Sequence, residues 1–372
     1  MTNIFSVDYQ NSILAISISL LKKYGIKSHH TSLPELDKKL KQYKNIVLII
    51  FDGMGINILN HYKEKTPFLH KKIVKSISSV FPPTTAAATT SIHSGLSPLE
   101  HGWIGWMQYF KKYDKVIELF RDTDFYEQEK INTNVWNDFL NYEDIYTKII
   151  KQNPDVNFTK IFPFWAPNGV SSVSEMRKKI VSTLAQNDKN LILGYWTNPD
   201  NKIHKLGISS PEISEIMEDI NQEMETLFSQ IDKDTIVLIT ADHGIIETDS
   251  IFLNEIKGFE ECFKNPPSME VRTISFFIKE DKKEKFKTLF NQHFKNDCIL
   301  YTHDEYINSG LLGSGKMHPM IHEFVGDFVA ISHTNKSLCY YTKKEKAIML
   351  KSDHAGLTKE EMLVPLIILE KK

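Results

Sequence analysis

Asn45-Ile46-Val47-Leu48-Ile49-Ile50-Phe51-Asp52-Gly53-Met54-Gly55 decides the fold class. A short apolar run rich in β-branched residues that stops abruptly at Asp-Gly reads as a buried strand followed by a turn, with Asp52 at the strand's carboxyl end. Two further runs, Asn190 to Trp196 and Thr235 to Thr240, have the same form, and each gives way to polar residues that include Asp or His. Buried strands with polar ends point to a mostly parallel sheet. In open α/β sheets ligands bind outside the carboxyl ends of the strands, so these three ends are expected to converge on one crevice.

Between the last two strands, Ser210 and Pro211 supply a cap and a first-turn proline. Ile213, Ile216, Ile220, Met224, Leu227 and Ile231 then recur at helical spacing, which predicts a helix covering one face of the sheet. Residues 103–173 are rich in aromatics and charges without a clean period, and are expected to form an irregular, pocket-shaping excursion. A second excursion, 246–345, carries strand-like runs at Val271–Ile278 and Phe328–Ser332 and an amphipathic helix near Lys283–Phe294, the pattern of a small α+β insert. Thr358-x-x-Glu361 has the form of a capping box before an apolar stretch, Met362–Leu369, that returns the chain to the main sheet.

Composition narrows the function. The chain has 372 residues, 41% hydrophobic and 25% charged, with a formal net charge of −2. These values belong to a soluble globular protein and provide no single-sign field for a nucleic-acid polymer or an anionic membrane. The early apolar run Ile13–Leu21 follows no basic residue and is too short to span a bilayer, so a cytoplasmic location is the expectation. Cys262, Cys298 and Cys339 are widely spaced and lack a CxxC pattern, which suggests neither a disulfide framework nor a thiolate metal cage.

Asp and His recur where the core strands end: Asp52, Asp200 with His204, Asp242 with His243, and a late His354. Carboxylate oxygen and imidazole nitrogen without thiolate is a ligand set for zinc, with manganese also compatible, and six such residues from four distant segments suit two divalent ions. Asp200 and His204 are spaced for one side of a helical turn, a pattern a surface turn also produces. Asp242-His243-Gly244 says more, because two ligating side chains at a buried strand end carry a desolvation penalty unless a cation compensates. In Phe81-Pro82-Pro83-Thr84-Thr85-Ala86-Ala87-Ala88, two prolines precede good helix formers, placing a hydroxyl of Thr84 or Thr85 at a helix N-terminus. Such a hydroxyl is either an ordinary N-cap or a nucleophile beside an anion site.

Taken in order, Phe51-Asp52-Gly53, Phe81-Pro82-Pro83-Thr84-Thr85 with Ser94-Gly95-Leu96-Ser97-Pro98-Leu99-Glu100-His101-Gly102, Asp200-x-x-x-His204, Thr240-Ala241-Asp242-His243-Gly244 and His354 resemble the alkaline phosphatase superfamily. The likeness is to its type I phosphodiesterase and nucleotide pyrophosphatase branch, from about Asn45 onward. It implies one catalytic domain over 1–372, a three-layer α/β/α sandwich. It also implies Thr85 rather than Thr84 as nucleophile, one metal on Asp52, Thr85, Asp242 and His243, and a second on Asp200, His204 and His354. The implied reaction is hydrolysis of a phosphodiester or pyrophosphate in a small soluble substrate through a phospho-threonine. A phosphomonoesterase, phosphonate hydrolase or phosphomutase on the same core, and a catalytically silent binding module, are the alternatives.

The sequence departs from that branch in two places. Alanines follow Thr85 where Phe-Pro-Asn-His is usual, and Trp106 stands at about the position of a phosphate-contacting Asn. Trp103 and Trp106 are candidates for the substrate pocket, against the commoner role of aromatic packing. His101 reads as a structural histidine and Asp353 as a partner for His354, whereas His29-His30 has no partner visible in the sequence.

Overall fold

A computed structural model describes residues 4–347 and 349–371. The central sheet has six strands in the order β2 (Ile73–Ser78), β17 (Leu363–Glu370), β8 (Thr235–Thr240), β1 (Asn45–Phe51), β7 (Asn190–Trp196) and β6 (Asn157–Ile161). β1 runs parallel to β7 and β8, β7 runs parallel to β6, and only β17 opposes its neighbours. Every residue of β1 and β8 is buried, which is why their sequences show no alternation: both faces are covered. Helices Pro67–Lys72, Val173–Gln186 and Pro211–Gln230 form one covering layer; Ile13–Lys23, Pro34–Leu40, Thr85–Ser94 and Ile145–Gln152 form the other. The result is the three-layer α/β/α sandwich.

Ile13–Lys23 shows how the layer is fixed. Its apolar residues are buried nearly all round, and Ser17 Oγ donates to the Ile92 carbonyl at 2.7 Å, tying it to Thr85–Ser94. Among the described residues no helix is long and apolar enough to cross a membrane.

A second sheet of seven antiparallel strands lies beyond the first, in the order β13 (Cys298–Thr302), β14 (Phe328–Ser332), β12 (Thr273–Ile278), β11 (Phe263–Met269), β3 (Met107–Phe110), β4 (Lys115–Glu118) and β5 (Thr123–Asp124). Helix Lys283–Phe294 presents Phe286, Phe290 and Phe294 to Phe276 and Phe259, filling that sheet's own core with rings. Two short ladders complete the chain, β10 (Asp249–Phe252) parallel to β15 (Lys336–Cys339) and β9 (Ile246–Glu247) antiparallel to β16 (Ser352–Asp353).

Residues 103–173 are not uniformly irregular, as their sequence suggests. They give β3, β4 and β5 to the second sheet, joined to the later excursion where Met107 pairs with Met269, and then return helix Ile145–Gln152 and β6 to the central layers. These strands are too short for a two-residue period to stand out, and β6 is an edge strand with only Ile161 buried. The two excursions thus build one sheet.

Candidate active site

Parallel pairing sets the site. Phe51 pairs with Trp196 and Ile50 with Thr240, so Asp52 and Asp242 leave their strands side by side. The backbone N–H of Asp200 donates to the Asp52 carbonyl at 3.1 Å, seating helix Asp200–Leu206 against the end of β1. Gly53, with φ +68°, makes the approach possible: a Cβ there would lie 2.7 Å from Asp200 Cβ. Asp242 Oδ1 accepts from the N–H groups of Gly53 at 3.1 Å and His243 at 3.0 Å.

The three histidines are oriented alike. His204 Nδ1 lies 2.7 Å from the Ser352 carbonyl, His243 Nδ1 3.1 Å from that of Gly244, and His354 Nδ1 3.1 Å from that of Pro83. A carbonyl can only accept, so each Nδ1 carries a proton and Nε2 is the ring atom turned toward the carboxylates. That is the arrangement of metal-binding imidazoles.

Two donor sets result, Asp52 with Asp242 and His243, and Asp200 with His204 and His354. His243 Nε2 lies 3.5 Å from Asp52 Oδ1 and 3.5 Å from Asp242 Oδ2; His204 Nε2 lies 3.2 Å from Asp200 Oδ2 and His354 Nε2 3.9 Å from Asp200 Oδ1. Ligands about 2.0 Å from a tetrahedral zinc stand roughly 3.3 Å apart, so these spacings suit a divalent cation. A third cluster, His29, His30 and Glu100, fails the same test. Its nitrogens lie 2.7 Å and 2.5 Å from the carboxylate oxygens, hydrogen-bond distances that leave no room for an ion. These contacts supply the partner that His29-His30 lacked in the sequence.

The electrostatics agree. Burial, and the charges of Asp242 and Asp200 beside it, push the Asp52 carboxyl well above the usual range; burial raises Asp242 as well. Burial, with His243 alongside, pushes His354 far below the ordinary imidazole value. Among the described residues, Asp200 Oδ1 and Asp242 Oδ2 are buried without a hydrogen-bond donor. The crowded carboxylates and orphaned oxygens call for positive charge; at the second set His204, which Asp200 raises to about 10 against the effect of burial, already supplies some of it.

Thr84 and Thr85 diverge. Thr84 is fully buried and its hydroxyl donates to Glu270 Oε1 at 2.6 Å. Thr85 opens helix Thr85–Ser94, with its Oγ1 3.2 Å from His243 Nε2 and 3.5 Å from Asp52 Oδ1. Trp103 is buried, its indole N–H donating to the Leu140 carbonyl at 3.1 Å and its ring packed on Phe120 and Trp136, so it has little surface to offer a ligand. Trp106 is half-buried; its ring also packs on Phe120, and its backbone N–H donates to Glu270 Oε1 at 2.6 Å.

His101 is buried, with Nε2 2.9 Å from Ser91 Oγ and Nδ1 accepting from the Trp103 N–H at 3.0 Å, a brace for the turn after the helix. Asp353 Oδ1 accepts from the His354 backbone N–H at 2.9 Å. Two residues escape sequence reasoning. The Tyr195 hydroxyl donates to Asp52 Oδ2, yet Tyr195 lies inside an apolar run and reads as core. Glu270 belongs to no motif.

Comparison with known proteins agrees with this geometry. The family model described as type I phosphodiesterase / nucleotide pyrophosphatase matches residues 46–357. Human ectonucleotide pyrophosphatase/phosphodiesterase family member 5 is 26% identical over 235 residues, 58% of this chain; the chain spans about half, 48%, of that relative's length. The solved murine ectonucleotide pyrophosphatase/phosphodiesterase 5 superposes with a TM-score of 0.62 at 17% identity, covering 86% of this chain and 87% of the other. The human protein gives 0.63 at 18%, covering 87% of each chain. An inactive threonine-to-alanine variant of the murine protein, in complex with AMP, gives 0.63 at 17%, covering 86% and 87%. At these identities the structures share a fold. With the family model spanning both donor sets and the threonine helix, the chain belongs to the type I phosphodiesterase/nucleotide pyrophosphatase family of the alkaline phosphatase superfamily.

Proposed function

We propose that this chain is a metal-dependent phosphoric ester hydrolase that cleaves a phosphodiester or pyrophosphate bond in a small soluble substrate, with Thr85 as nucleophile. The observation that carries the reading is the place of the Thr85 hydroxyl, within 3.5 Å of both His243 Nε2 and Asp52 Oδ1 and at the head of a helix. Asp52, Asp242, His243 and Thr85 would hold one divalent ion and Asp200, His204 and His354 another, zinc first by donor type and manganese next. Bound there, the ions would lower the pKa of the hydroxyl and neutralise charge on the phosphoryl group.

The chain's own groups do the rest. Thr85 Oγ1 attacks phosphorus in line and its proton passes through solvent to the departing oxygen; the P–O bond to the leaving group breaks as the Oγ1–P bond forms, and water then attacks phosphorus, breaking the Oγ1–P bond and returning a proton to Thr85. The N–H groups of the first helical turn point toward that phosphoryl group and favour its negative charge. The Tyr195 hydroxyl fixes Asp52, and the Pro83 carbonyl fixes the ring of His354. The inactive murine Thr-to-Ala variant with AMP supports a threonine nucleophile and a nucleotide-sized substrate.

The test is metal analysis of the purified protein with hydrolysis of bis(4-nitrophenyl) phosphate. The expected result is about two divalent ions per chain, with Thr85→Ala losing turnover while keeping its metals. Full activity in Thr85→Ala would place the nucleophile elsewhere. Because Trp106 and the alanines after Thr85 depart from the nucleotide-cleaving pattern, parallel rates on 4-nitrophenyl phosphate decide between diester and monoester.

A further inference from the structure

Glu270 reaches the nucleophile's loop from the second sheet. It follows the last residue of β11 and begins a turn closed by its own N–H donating to the Thr273 carbonyl at 3.0 Å. The turn is held in an unusual shape. Met269 has φ +77°, a left-handed conformation that costs a non-glycine residue on the order of 1–3 kcal/mol and persists only where the surroundings enforce it. Gly105 supplies that enforcement: its backbone lies so close that a Cβ would fall 2.6 Å from Met269 Cα. The strain delivers the Glu270 carboxyl into a buried position, where burial pushes its pKa up to about 8.

There, one oxygen, Oε1, takes both the Thr84 hydroxyl and the Trp106 backbone N–H at 2.6 Å. Thr84 is the N-cap residue of helix Thr85–Ser94, with extended backbone, φ −137° and ψ 149°, yet its side chain makes no capping hydrogen bond. A threonine in that position ordinarily accepts from an N–H of the first turn. Here its hydroxyl is turned to Glu270, and the first-turn N–H groups keep their hydrogen-bonding capacity.

We propose that Glu270 is a positioning residue for the phosphoryl site: by holding the Thr84 hydroxyl and the Trp106 N–H, it prevents Thr84 from capping the Thr85–Ser94 helix and keeps that helix's first N–H groups open to a phosphoryl oxygen. The inference rests on Thr85 as nucleophile.

The experiment uses the metal-loaded full chain, bis(4-nitrophenyl) phosphate as substrate and orthovanadate as inhibitor. Glu270→Ala frees Thr84 to cap, and is expected to lower kcat by about 10–100-fold and to weaken vanadate by a similar factor, with metal content unchanged and KM within about threefold. Glu270→Gln keeps an acceptor oxygen for both donors and should stay within about threefold of the parent. Thr84→Val has no oxygen with which to cap. Combined with Glu270→Ala it should run faster than Glu270→Ala by itself, a rescue that a merely structural role does not produce.

A double variant no faster than Glu270→Ala overturns the proposal, as does Glu270→Ala with parental kcat and vanadate affinity, or with kcat and metal content falling together. Should Glu270→Ala not fold, Glu270→Gln decides: a loss of about tenfold or more shows that charge and not acceptor geometry matters, and overturns it. Full activity in Thr85→Ala instead removes the nucleophile on which both readings depend, an outcome distinct from a Glu270 series with no effect beside an inactive Thr85→Ala.

Discussion

Replacing Tyr195 with Phe removes one oxygen from a side chain that otherwise stays in place. The ring is buried beside Phe162, with centroids 5.5 Å apart, and Phe fills the same space. What is lost is the hydroxyl donated to Asp52 Oδ2. Burial and the charge of Asp52 keep the Tyr195 pKa far above its ordinary value, so it is a donor at every working pH. A hydrogen bond to an ionised acceptor contributes about 1.5–3 kcal/mol, and each 1.4 kcal/mol is tenfold in affinity. Tyr195→Phe is therefore expected to weaken the ion held by Asp52, Asp242 and His243 by roughly 10–100-fold, the range typical of outer partners of metal ligands.

The ion on Asp200, His204 and His354 should be unaffected, because the hydroxyl contacts only Asp52 in the first set. The assay is competition of the zinc-loaded protein with a chelator of known affinity, with turnover followed as zinc is titrated. One of the two dissociation constants should move, and turnover should recover at high zinc. Two unchanged constants would falsify the role assigned to Tyr195, and a turnover defect that zinc does not restore would locate its effect in the chemical step.

Removing metal should destabilise the protein, because Asp52 and Asp242 then share a buried pocket uncompensated; thermal unfolding with chelator and with zinc should differ by about 4 kcal/mol at a thousandfold excess over Kd, and coincident transitions would argue against bound cations. Gly53→Ala drives a Cβ to within 2.7 Å of Asp200 Cβ at φ +68°, so metal analysis should show loss of the ion on Asp200, His204 and His354, while retention of both ions at full turnover would show that the loop yields. Burial alone would raise the Glu100 carboxyl from 4.5, but its bonds with His30 and the Ser97 N–H and the charges of His30 and His29 hold it at about 2. A depressed carboxylate stabilises the fold above its unfolded value and loses that contribution as pH falls through the folded one. Glu100→Gln should therefore be less stable than the parent near neutrality, with the gap in denaturant midpoints closing between pH 4.5 and about 2. A gap that stays constant across that window would remove the ion pair as its cause.

Much of the central layer was legible because it is local. The apolar run to Phe51 and the polar break at Asp52 lie within one short stretch, and Asp242-His243 follows its strand directly, so period and punctuation place them at strand ends without further information. The helix from Pro211 announces itself by spacing for the same reason. The strands of residues 103–173 do not, since a run of the length of Met107–Phe110 shows too little period, and only pairing with β11 makes it a strand.

The site divides along the same line. By itself the sequence determined the strand ends, the donor types and a threonine at a helix start, since each depends on neighbours in the chain. Family resemblance preferred Thr85 to Thr84, and tertiary structure gave the two hydroxyls different surroundings, Glu270 from a distant turn facing Thr84 and His243 from another strand facing Thr85. Tertiary structure also decided that His29-His30 meets Glu100 at hydrogen-bond distance, that Tyr195 holds Asp52, and that His204 and His354 turn Nε2 inward by giving Nδ1 to carbonyls far away in sequence. Those facts are distances between segments that meet only when the chain packs, and no local pattern encodes them.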